Sequence, residues 1–97
     1  MEERNGDDMK DKSLVTASFL FELVKVESRC QIKKWGIQDR SSFEWMTYLT
    51  EEIGELAQAI SEYEYRGGSV DDVIREAVQA ATLCLKIAEM YNIENNK

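Results

Sequence analysis

Five side chains stand out for their chemistry: Glu51, Glu52 and Glu55 in the run Glu51-Glu52-Ile53-Gly54-Glu55, and Glu76 and Gln79 in Glu76-Ala77-Val78-Gln79. Glu52/Glu55 and Glu76/Gln79 are both i, i+3 pairs, so each pair shares one face if its segment is helical. Three carboxylates and one amide carbonyl, converging without thiolate or imidazole, form an all-oxygen site that suits Mg²⁺ or Mn²⁺ and suits zinc poorly. Such a cation lets an acidic protein handle phosphate oxygens, because it inverts the local charge. Two plainer readings compete. Glu51, Glu62 and Glu64 taken singly are solvated surface, and Arg66, Arg75 or Lys86 can satisfy Glu76 as an ion pair.

The elements that position these residues follow from the hydrophobic period. Leu49, Ile53, Leu56, Ile60 and Tyr63 recur at spacings of four, three, four and three, the stripe of an amphipathic helix. Its start is marked by Ser41-Ser42-Phe43-Glu44, a capping box with Ser41 as N-cap, and its end by Arg66-Gly67-Gly68-Ser69. At about 100° per residue, Glu52 falls at the rim of that stripe, with Glu55 one step outside it. A further helix is expected from Val70 to Tyr91, with Ser69 and Asp71 or Asp72 at its cap. Between Ala77 and Ala88 only Gln79, Thr82 and Lys86 interrupt its apolar run, and Glu76 projects into the apolar arc between Leu83 and Ile87. An ionised acid there is costly without compensation. Upstream, Ser13 to Lys34 reads as a first helix that ends near Trp35-Gly36.

Gly54 inside a helix costs about 1 kcal/mol relative to alanine and marks either a close backbone approach or packing on a partner helix. The short loop between the second and third helices makes them antiparallel neighbours, so Glu52/Glu55 faces Glu76/Gln79. Residues 1–12 form an acidic leader whose apolar side chains are Met1 and Met9, residues 13–92 a single helical domain, and residues 93–97 a flexible end.

Composition narrows the function classes. Histidine is absent, which excludes Ser-His-Asp and Cys-His catalysis, histidine-ligated zinc and the Glu-x-x-His di-iron bundles. There is no proline and there are five glycines, too few turn formers for a strand-rich fold. Twelve basic against nineteen acidic residues give a formal charge of −7, which argues against nucleic-acid and anionic-membrane partners. No apolar run approaches a membrane span, and Cys30 and Cys84, far apart in apolar stretches, read as reduced core thiols of a cytoplasmic protein. Three helices make a poor stand-alone core. The expectation is therefore an all-α fold of antiparallel helices in a four-helix bundle completed by oligomerisation.

Glu51-Glu52-Ile53-Gly54-Glu55, followed after twenty residues by Glu76-Ala77-Val78-Gln79, resembles the EExxE…ExxD signature of the MazG-like, all-α nucleoside triphosphate pyrophosphohydrolases. The resemblance runs from about Lys33 to Ala88, and Lys34-Trp35-Gly36-x-Gln38 is similar to the segment that precedes the acidic motif in some small members. It implies a MazG-like helical homodimer or homotetramer that holds Mg²⁺ between two helices and cleaves a nucleoside triphosphate to the monophosphate and pyrophosphate. Carried onto this chain, Glu52, Glu55 and Glu76 are metal ligands with Gln79 beside them. Glu51 is a further ligand or orients a water, and Glu51 or Glu55 accepts the proton. Lys33, Lys34, Arg40 and Lys86 are candidates for phosphate contact. Trp35 is a candidate for stacking on the base and Gln38 for reading its edge, while Trp45 lies on the core stripe. The departure is Gln79 where the family has aspartate: its carbonyl can ligate, but it brings no charge and takes no proton. A catalytically degenerate assembly or regulatory module is the competing expectation.

Overall fold

The computed structural model describes residues 18–37 and 39–95. They form three helices, α1 (Ser18–Trp35), α2 (Ser42–Tyr65) and α3 (Val70–Asn95), with no strand among the described residues. The acidic leader, the expected first turn of α1 at 13–17, and Gln38 lie outside the described residues. The last helix departs from expectation: it continues past Tyr91 to Asn95, so residues 93–95 are helical rather than a separate end. Nothing in Asn92-Ile93-Glu94 stops a helix, since neither glycine nor proline follows Tyr91.

The boundaries are set by local chemistry. At the start of α2 the Ser41 hydroxyl accepts the Glu44 amide at 3.2 Å and the Glu44 carboxylate accepts the Ser41 amide at 2.9 Å, so the expected capping box is complete. Hydrogen bonds from the Ser41 amide and, after it, the Ser41 side chain hold the Glu44 carboxyl below its ordinary value, with Arg40 adding a smaller pull. At its end the Gly68 amide returns to the Glu62 carbonyl at 2.9 Å. Gly67 takes φ +73, and a Cβ on Gly68 would meet the Glu62 carbonyl carbon at 2.9 Å, so each glycine is required for a different reason. Ser69 then receives the Asp71 amide on its hydroxyl at 3.0 Å and opens α3.

Helix α3 is the centre of the arrangement. It packs against both α2 and α1, whereas α1 and α2 do not pack on each other. The buried residues are accordingly few: Trp45 on α2, and Ala80, Thr82 and Leu83 on α3. Thr82 is 1% exposed and donates its hydroxyl to the Val78 carbonyl at 2.8 Å, which satisfies the polar atom that burial would otherwise strand. Trp45→Ala is expected to cost about 3–5 kcal/mol, a large share of a small domain's stability. Urea denaturation followed by circular dichroism measures it.

Two expectations are corrected by this layout. Cys30 and Cys84 are free but exposed, not core residues. Much of the α2 stripe is also open, with Ile53 50% and Ile60 44% exposed. The physical reason is the same in both cases: among the described residues α3 is covered on two sides only, and no described element lies across the outer faces of α1 and α2. Gly54 likewise has open space where a Cβ would stand, so no approach among the described residues explains it.

Candidate metal centre

The connection 66–69 is too short for two long packed helices to run any way but antiparallel, and this brings the two i, i+3 pairs together. One carboxylate oxygen from each of Glu52, Glu55 and Glu76 lies within 4.8 Å of the other two. Glu52 is half-buried and Glu55 exposed, while the Glu76 side chain retains 14% exposure. The acid expected in the apolar arc is therefore largely withdrawn from water. Of the three cations weighed as its partner, Arg75 reaches it, placing Nη2 3.6 Å from Glu76 Oε2 while Nη1 holds Asp72 at 2.9 Å.

Gln79 completes the group in an unexpected sense. Its side-chain oxygen faces Glu76 Oε1 and Glu52 Oε2; with the amide turned over, the nitrogen would donate to them at 2.9 and 3.2 Å. Glu52 feels the crowding most. Burial, and after it the hydrogen bond with Glu76 and the charges of Glu55 and Glu76, push its carboxyl up from 4.5 to about 8.

The cluster opens on a groove of about 950 Å³ that α1, α2 and α3 line together. Glu51, Glu52 and Glu55 stand on its α2 side. Trp35, Trp45 and Tyr48 contribute aromatic wall, and Lys25, Arg40 and Lys86 contribute positive charge. Of the substrate residues named from the sequence, Trp35 and Lys86 line the groove, whereas Lys33 and Lys34 do not; Lys34 instead lies over the Trp35 ring at 4.8 Å. Tyr48 was missed. It meets Trp45 edge-on at 6.4 Å and carries the Arg40 guanidinium over its ring at 4.8 Å. The signal was available, because Tyr48, Glu52 and Glu55 at spacings of four and three form one stripe beside the apolar one.

Compared with known families, curated proteins and solved structures, the chain matches no family model, no curated protein and no solved structure.

Glu52, Glu55 and Glu76 fit a hard divalent cation. Oxygens that share one Mg²⁺ stand about 3 Å apart when adjacent and about 4.2 Å apart when opposite, so three oxygens within 4.8 Å of one another would have to draw together by side-chain rotation to share an ion. The donor set is all oxygen, and the Glu52 carboxyl is raised first by burial and then by its acidic neighbours.

Proposed function

We propose that this protein is a MazG-like nucleoside triphosphate pyrophosphohydrolase, dependent on Mg²⁺ with Mn²⁺ as an alternative, that releases pyrophosphate and a nucleoside monophosphate, a reaction suited to clearing unwanted nucleotides from the pool. The observation that carries this reading is the convergence of Glu52, Glu55 and Glu76 beside a groove that combines aromatic wall with positive charge. Acids alone repel a triphosphate. Acids that hold a cation next to Lys86 and Arg40 attract one.

When bound, the cation neutralises phosphate charge and acidifies an attacking water. Glu52, Glu55 and Glu76 hold it, and Glu51, exposed on the groove rim, accepts the proton. Lys86 and Arg40 bind phosphate oxygens as the groove fills. Trp35, Trp45 and Tyr48 offer ring faces and edges to the base and keep water from that end of the groove.

A four-helix assembly of two or four copies belongs to the same reading. Among the described residues only three hydrophobic side chains are buried, while Phe43 is 83% and Leu85 55% exposed. Apolar surface on that scale calls for a cover. The same exposure is the observation that favours the second reading, a helical assembly or regulatory module without turnover. No helix among the described residues is long and apolar enough to cross a membrane, and the cover proposed here is a second copy of the chain.

The test is pyrophosphate release from a panel of ribo-, deoxyribo- and modified nucleoside triphosphates, in Mg²⁺, Mn²⁺ and chelator. Cation-dependent release with a substrate rank is expected. Silence across the panel from a folded oligomer transfers the case to the assembly module.

A further inference from the structure

On α2, Phe43, Met46, Thr50, Ile53, Ala57 and Ile60 follow one another at spacings of three, four, three, four and three. On α3, Ile74, Ala77, Ala81, Cys84 and Ala88 do the same at three, four, three and four. This is the period of a seam that packs against another helix, and every one of these residues is exposed. None of them lines the groove. At about 100° per residue the α2 seam centres half a turn from Tyr48 and Glu55, and the α3 seam nearly half a turn from Lys86. The groove and α1 thus take one side of the α2–α3 pair, and two uncharged seams lie side by side on the other.

We propose that this face binds a second copy of itself, with α2 of each copy lying antiparallel across α3 of the other, so that two α2–α3 hairpins make a four-helix bundle and both grooves stay open on its outside. The inference rests on the assembly proposed above and deepens it by naming the face and the pairing. Self-complementarity is what selects a second copy. Glu52 and Glu55 meet Glu76 across the hairpin, and this sets which residues of α2 and α3 are level: Phe43 with Ala88, Met46 with Cys84, Ile53 with Ala77, and Ala57 with Ile74. A two-fold axis parallel to the helices keeps those levels and lays α2 of one copy over α3 of the other. Each large side chain then meets a small one, including the reversed pair Ala57 and Ile74, as knobs into holes require. Laying α2 on α2 sets large against large instead. The seams expose roughly 800 Å² in each copy, the share that a partner gives to a standard stable interface.

The experiment uses the full chain as wild type, Ile53→Glu, Ala81→Glu and Val26→Glu, with sedimentation velocity over a micromolar concentration series and circular dichroism of each. Wild type is expected to be a dimer, and so is Val26→Glu, whose charge falls on α1. Ile53→Glu and Ala81→Glu are each expected to weaken the dimer by at least about a hundredfold while remaining helical, because each puts an unpaired charge in the middle of a dry seam. A second measurement needs no loss of packing. With Cys30→Ser to remove the other thiol, Met46→Cys is expected to give a covalent dimer on mild oxidation, linked from position 46 of one copy to Cys84 of its partner and read by peptide mass, whereas Cys30→Ser alone stays unlinked. If either seam variant dimerises like wild type, or if wild type dimerises and the link from 46 to 84 does not form, this face is overturned while assembly through another one stands. A wild-type chain that stays monomeric throughout the series overturns both. The cross-link decides if a seam variant fails to fold.

Discussion

Replacing Glu76 by alanine is expected to abolish Mg²⁺-dependent pyrophosphate release and the Mg²⁺-induced rise in melting temperature, with apparent cation affinity falling by at least about a hundredfold. Loss of an outer partner alone typically costs 10–100-fold, so loss of a direct ligand sets the floor there. The fold is expected to survive. Arg75 loses one contact but keeps Asp72 at 2.9 Å, and the first turns of α3 keep the Ser69 cap. Removing one of three crowded acids also relieves Glu52, whose carboxyl owes part of its upward shift to Glu76. Circular dichroism in chelator checks the fold, and thermal scans with and without MgCl₂ check the site. A folded Glu76→Ala protein with the full cation response would mean that the three acids are not the metal centre.

The acidity of Glu52 leads to the second large effect. Its carboxyl titrates at about 8 in the folded protein against an ordinary 4.5, so between those values the native state holds a proton that the unfolded chain has released. The contribution of Glu52 to stability in chelator is therefore fully present below about pH 4.5, declines as pH rises toward about 8, and levels off above, where both states are ionised. Cation binding runs the other way. A cation takes the ionised carboxylate, so each pH unit below about 8 is expected to weaken the apparent Mg²⁺ affinity by about tenfold, with about one proton released per ion bound. Isothermal calorimetry in two buffers of different ionisation enthalpy measures both quantities between about pH 6 and pH 9. An affinity that does not change across that range would remove Glu52 from the ligand set.

These effects come from residues that differ in how far the sequence exposes them. The stripe of Leu49, Ile53, Leu56, Ile60 and Tyr63 and the box at Ser41 and Glu44 were legible because both are written in short-range spacing, and the helix Ser42–Tyr65 with its complete capping box follows them. The meeting of Glu52 and Glu55 with Glu76 was legible for a related reason: two periodic helices and one short loop leave a single antiparallel arrangement. Cys30 and Cys84 show the limit. An apolar neighbourhood along the chain marks a face as fit to be buried, yet burial needs a second surface to cover that face, and among the described residues nothing covers theirs. Gln79 shows another limit. Its type and spacing place an amide beside the acids, but which end of the amide faces them is decided by the oxygens already there.

By itself the sequence determined an all-helical chain, the boundaries of α2, the start of α3, and three carboxylates on facing stripes with no imidazole to compete for a metal. Those properties depend on residue type and on separations of a few positions, which the chain carries wherever it goes. Only the tertiary structure decided that α3 lies between α1 and α2, that Tyr48, Lys25 and Arg40 share a groove with the acids, and that Glu52 is the carboxyl driven farthest from its ordinary value. Depth, neighbouring charge and the direction of a donor are sums over groups distant in sequence, so they acquire values only once the helices have packed.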